Sequence, residues 1–160
     1  HADWIRRTCG QGNVVMALDV SGEGALMPNA LIGDNVYGKF GAIHKLTADL
    51  FWLDDSLAAM RVYDVLRAVE FAGQIPGADI GDIRLYAKGK YTLHGRLAKL
   101  LDTDGRIGKL ELEDDGGTVA DWVRERYYDD CDVIGHIIPG MLHYFDLPDL
   151  DRWLNKEKWA

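Results

Sequence analysis

Residues 82–102, DIRLYAKGKYTLHGRLAKLLD, constrain the fold more than any other stretch. Ile83, Leu85 and Ala87 are apolar and Tyr86 is aromatic, a pattern that suits a strand buried on both faces of a parallel sheet. Leu93, Leu97, Leu100 and Leu101 then recur at the spacing of one helical face. Only Lys88-Gly89-Lys90 separates the two patterns, so the chain must pass from strand to helix through a sharp turn. Gly89 is expected at its tip with positive φ, because glycine takes that backbone without a Cβ penalty. Lys90 is then expected to open the helix.

The flanking sequence reads as alternating helices and strands. Residues 1–9, HADWIRRTC, suit the end of a helix with Trp4 and Ile5 inward, stopped by Gly10 and Gly12. Residues 13–20, NVVMALDV, read as a buried strand ending in the glycine-rich turn Ser21-Gly22-Glu23-Gly24. That turn lacks the third glycine of a dinucleotide-binding loop, and Pro28 follows instead. Residues 25–52 are weakly periodic and suit a long surface excursion with a short helix over 43–51. Residues 57–71 form the clearest helix, with Val62, Val65, Leu66 and Val69 on one face. Asp54, Asp55 and Ser56 stand where its N-cap belongs, and capping explains the adjacent acids better than a metal or an acid/base pair. Residues 74–81 return the chain to the central strand.

Beyond the central helix, Asp102-Thr103-Asp104-Gly105 is a turn, and the strand pattern after it argues against a calcium-binding loop. Residues 107–113 alternate from Lys109 onwards as a strand with one solvated face. Thr118 caps a helix expected to run through Tyr128, with Val119, Trp122 and Val123 inward. Asp129, Asp130 and Asp132 surround Cys131 in a solvated loop. Residues 134–144 are apolar but broken by Pro139-Gly140, and residues 146–154 suit a final amphipathic helix with Trp153 inward.

Composition limits the functional classes. At 160 residues the natural reading is one domain, residues 1–160. A formal net charge of −8 argues against nucleic acid or an anionic membrane as a main partner. No apolar run reaches the ~18 residues that span a bilayer. The two cysteines, Cys9 and Cys131, lie far apart and show neither redox nor zinc spacing, so both are expected to be buried thiols and the compartment stays open. The chain begins at His1 rather than Met, as a processed, truncated or excised piece would. His44 reads as a solvated loop residue. His136 and His143 stand seven apart across Pro139-Gly140, which gives no shared helical face and only a weak metal signal.

These strings carry a resemblance. VVMALDVSGEG, SLAAMRVYDVLRAVEF, IRLYAKGKYTLHGRLAKLLD and IIPGMLHYFDLPDL resemble the core of bacterial α/β-hydrolases of the acetyl xylan esterase type. The resemblance runs over nearly the whole chain and is loosest in residues 25–52. It implies an α/β fold: a partial α/β-hydrolase core with three layers and a mostly parallel sheet. In that family the strand–turn–helix presents the nucleophile in a G-x-S-x-G motif. Here those positions read Ala87-Lys88-Gly89-Lys90-Tyr91, so Gly89 stands at the serine position and Lys90 at the residue whose N–H would help to form an oxyanion hole. The family's acid and histidine follow two later strands that these residues do not include, so no triad can be assembled. The resemblance also implies a strand between residues 13–20 and residues 83–87, supplied by the remainder of the parent protein or by another chain. The alternative is direct pairing of those two stretches.

Two functional readings follow. One is an esterase-like fragment without hydrolytic activity of its own, requiring no cofactor, with a carbohydrate ester as the family's substrate class. The other is a non-catalytic module in which Lys88, Gly89, Lys90 and Tyr91 cradle a small anion at a helix N-terminus. The plain alternative is that the lysines are simply exposed turn residues.

Overall fold

The computed structural model describes residues 2–28, 41–77, 81, 83–114, 117–127 and 133–156. It is a mixed helical and stranded fold around a two-stranded parallel sheet. In chain order the elements are α1 (Ala2–Gly10), α2 (Ala42–Trp52), α3 (Leu57–Ala72), β1 (Ile83–Lys88), α4 (Thr92–Leu101), β2 (Ile107–Glu113), α5 (Val119–Arg124) and α6 (Leu147–Lys156). The central stretch folds as its pattern predicts. β1 enters a single 3-10 turn, Gly89–Tyr91, and α4 starts at Thr92. Gly89 has φ +62°, and the Thr92 hydroxyl donates to its carbonyl oxygen at 2.8 Å. Lys90 therefore lies inside the tight turn, two positions before the first residue of the regular helix, and does not open it.

β1 and β2 pair in parallel with Leu85 opposite Leu110, Tyr86 opposite Glu111 and Ala87 opposite Leu112. Gly95 of α4 lies against Ala87, Leu110 and Leu112, so the apolar face of the sheet meets α4. The other face is held by α1, whose Trp4 stacks on Tyr86 with ring centroids 4.7 Å apart. β1 is thus half-buried rather than sealed on both faces, and Arg84 reaches solvent. A strand in a two-stranded sheet has too few neighbours to be sealed.

Two apolar clusters flank α4. Val20, Val62, Val65, Val69, Ala98 and Ile107 join α3 to the sheet side of α4. Leu93, Val119, Trp122, Val133, Met141, Leu147 and Leu150 join its other side to α5, α6 and the segment between them. Arg96 crosses to Asp151 of α6 through two hydrogen bonds, at 2.6 and 3.1 Å. Ser56 caps α3, its hydroxyl accepting from Ala59 N–H, and Thr118 closes a capping box with Asp121 on α5. Asp55 accepts from Ser56 N–H, which supports the capping reading for Asp55.

Several expectations are corrected. Residues 13–20 form no strand: they join no ladder, neither with residues 83–87 nor with any other described residues. Val14 is 71% exposed, Met16 and Leu18 are also exposed, and only Val20 is buried. A β-branched run becomes a strand only where a neighbouring strand offers a ladder and a surface to pack on, and among the described residues none does. Cys9 is exposed rather than buried because α1 buries none of its residues. Trp4 and Ile5 are accordingly only half-buried. α5 ends at Arg124, leaving Val123 exposed. Trp153 is not fully inward but 40% exposed, meeting Phe145 edge-on at 5.7 Å. Cys131 and the acidic residues Asp129, Asp130 and Asp132 lie outside the described residues.

Candidate functional site

The strand–turn–helix places Lys88, Gly89, Lys90 and Tyr91 in sequence at the end of β1, but they serve different surroundings. Lys88 is bound to two carboxylates: it pairs with Glu113 across the sheet and with Asp114 at 2.9 Å. The hydrogen bond to Glu113, followed by that to Asp114, pushes the Lys88 ammonium above its usual range. The same bond, with that donated by the Tyr86 hydroxyl at 2.7 Å, holds Glu113 below the usual carboxylate range. The positive charge of Lys88 is therefore committed within the protein. Lys90 turns the other way, with its ammonium 5.9 Å from the centre of the Trp122 ring, within cation–π range.

Gly89 itself faces open space. Among the described residues, a Cβ built there would meet only the carbonyl oxygen of Asp114, at 3.9 Å, and no imidazole or carboxylate atom within 4 Å.

Tyr91 leads instead to a buried constellation that sequence reasoning missed. Its ring lies edge-on to His136 at 4.9 Å and to His94 at 5.6 Å. The two imidazoles stack on each other, with centroids 4.9 Å apart and planes within 9°. His94 is 1% exposed and His136 2%. Neither ring nitrogen of His94 has a hydrogen-bond partner, nor has Nδ1 of His136. Burial, then the neighbouring His136 and Arg61, pushes the His94 pKa well below the usual imidazole range. Burial, then Arg61 and Lys90, lowers that of His136 to about 3. Both rings are neutral at neutral pH.

Arg61 of α3 organises this region and is itself only 2% exposed. Its Nε donates to the Ser21 carbonyl at 3.0 Å, its Nη1 to the Gly135 carbonyl at 3.2 Å, and its Nη2 to Glu23 at 2.9 Å. Nη1 also stands 3.5 Å from Nε2 of His136. A Cβ at Gly135 would come within 3.0 Å of that guanidinium, so a residue without one is what allows the approach. One side chain thereby ties the turn after residues 13–20 and the segment at 133–136 to α3.

Chemically this is a closed structural cluster. Two neutral imidazoles provide lone pairs, but they are sealed from solvent and sit beside a guanidinium, which opposes a bound cation. Among the described residues, no group of three or more histidine, cysteine or acidic side chains converges as a metal site. His143 is exposed, so it does not join the buried His136. His44 is half-buried on α2, and Asp54 and Asp55 are exposed at the start of α3. Comparison with protein-family models, with curated proteins and with solved structures finds no match for this chain.

Proposed function

We propose that this chain is a partial core of the esterase-like α/β-hydrolase type that retains the nucleophile-presenting turn without its chemistry. The reading rests on the sequence resemblance to acetyl xylan esterases, and one observation gives it structural support. The turn between β1 and α4 carries its positive φ at Gly89, where the family places serine, and that residue has no oxygen with which to attack. The parallel pairing of β1 and β2 about α4 is compatible with the same reading. Exposed apolar residues along 13–20, lacking any ladder, favour completion of the sheet by strands from the parent protein or another chain. The anion-cradle alternative is weakened by the pairing of Lys88 with Glu113 and Asp114.

The test is ester hydrolysis. The purified chain is expected to release nitrophenol from p-nitrophenyl acetate at the rate of an equal concentration of unfolded chain. Saturable turnover, abolished by one substitution, would refute the proposal.

A further inference from the structure

Residues 13–19 are held at both ends and left unpaired between them. Before them, α1 stacks Trp4 on Tyr86, and the Asn13 side-chain amide donates to the Thr8 carbonyl at 3.3 Å, which keeps the last turn of α1 beside Asn13. After them, Val20 is buried in the cluster against which Ile83 and Leu85 pack. Gly12 and Gly22, at φ +85° and +83°, turn the chain at either end, and from Asn13 to Val20 it runs without helix, turn or bend. Among the described residues, no backbone N–H or carbonyl of residues 14–19 is hydrogen-bonded.

The exposed apolar side chains fall at every second position. Val14 is 71% exposed, and Met16 and Leu18 are 42% each, so an extended backbone puts all three on one face. No charged residue occurs from Asn13 to Leu18. The charges stand at the two ends and have opposite sign. Arg7, exposed in the last turn of α1, marks the start, while Arg6 beside it is paired with Asp3. The exposed Asp19 marks the finish, and Asp64 accepts from Ser21 N–H two residues on. A chain of net charge −8 repels its own copy over most of its surface, but this stretch is neutral and its ends are complementary. Antiparallel pairing sets the Arg7 end of each copy against the Asp19 end of the other. Parallel pairing would set like charges together.

We propose that residues 13–19 are a self-pairing strand: two copies of the chain align them antiparallel about a two-fold axis through Met16, so that Val14 of each copy stands opposite Leu18 of the other and Met16 opposite Met16. This rests on the proposal that residues 13–20 await a strand from another chain, and it identifies that chain as a second copy. One patch serves both partners, as a two-fold contact requires. The unpaired backbone of each copy gains a ladder, and the three apolar pairs come within cross-strand contact. A ribbon of two such strands buries less than the roughly 1,200 Å² of a stable interface, so the pairing is weak and reversible.

Disulfide trapping tests this on the full chain carrying Cys9→Ser and Cys131→Ser, so that an introduced thiol has no competitor. Met16→Cys places the two thiols directly opposite, at a Cα separation of about 5 Å and within disulfide reach. Val14→Cys places them about four residues apart along the ribbon, roughly 14 Å and out of reach. In a redox buffer Met16→Cys is expected to accumulate as covalent dimer and Val14→Cys to stay monomeric. An equal mixture of Val14→Cys and Leu18→Cys should give the mixed dimer. Equal trapping of every variant, which reports collision alone, would overturn the proposal, as would no trapping of a Met16→Cys chain shown to be folded by circular dichroism. Sedimentation of the unmutated chain decides the matter without any cysteine change. A reversible dimer at high concentration, weakened by Arg7→Glu, is expected. A chain monomeric at every concentration, as one awaiting a strand of a longer parent would be, contradicts the pairing. Ester turnover is read separately: a monomer without turnover removes the pairing and leaves the proposed function, and a trapped dimer with saturable turnover does the reverse.

Discussion

Arg61→Ala is expected to cost about 3–5 kcal/mol, the range for removing one partner from a buried charge-assisted network. The side chain donates to the carbonyls of Ser21 and Gly135 and to Glu23, and it is almost fully enclosed. Its removal leaves two carbonyls without their donor and Glu23 without its cation. Each unsatisfied buried group costs about 1–3 kcal/mol. Against a typical total of about 5–15 kcal/mol, that loss brings the chain close to unfolding at ambient temperature. Arg61→Lys should recover only a fraction, because one ammonium cannot span three acceptors that the planar guanidinium reaches together. Urea unfolding followed by circular dichroism checks both variants; an unchanged midpoint for Arg61→Ala would mean that the network contributes nothing net.

Leu93→Ala is expected to cost about 2–5 kcal/mol by leaving a cavity in a core that can collapse only partly. Leu93 is 0% exposed and sits among Val119, Trp122, Val133, Met141, Leu147 and Leu150, which come from α5, α6 and the segment between them. It is the residue through which α4 meets its second layer. The urea midpoint should fall with little change in slope, since the surface exposed on unfolding is nearly the same. Exposed Leu101, on the same helix, supplies the contrast: Leu101→Ala should shift stability by no more than about 0.5 kcal/mol.

The parts of this fold legible in the sequence are those governed by local rules. The switch of period across Lys88-Gly89-Lys90 specified a strand, a turn and a helix, and all three occur with Gly89 at positive φ. The caps at Ser56 and Thr118 were legible for the same reason, because a side-chain oxygen satisfies a neighbouring N–H within one turn. Residues 13–20 illustrate the limit: their β propensity describes a surface waiting for a neighbour, and propensity cannot say whether a neighbour exists. The imidazole–guanidinium cluster was missed because each member looked ordinary in its own segment. A signal was nevertheless present. Arg61 continues the stripe of Leu57, Val65 and Val69, and His94 lies one turn from buried Ala98. A charged or titratable residue on an apolar helical stripe calls for a buried partner, and here α3 and α4 supply partners for each other together with the segment at 133–136.

The proposal that the Gly89 turn presents no activated nucleophile is tested most directly by covalent labelling with a serine-reactive fluorophosphonate. Labelling is read by intact mass on the native chain and on Gly89→Ser, with circular dichroism confirming that the variant is folded. Among the described residues a built Cβ at residue 89 meets only the Asp114 carbonyl within 4 Å, and the new hydroxyl is expected to find no base to take its proton. Neither protein is expected to gain the mass of one adduct beyond the background of a denatured control. Stoichiometric labelling of the native chain would contradict the account, because it would reveal an activated nucleophile elsewhere. Stoichiometric labelling of the folded Gly89→Ser chain would contradict it equally, by showing that groups around the turn can activate a hydroxyl placed there.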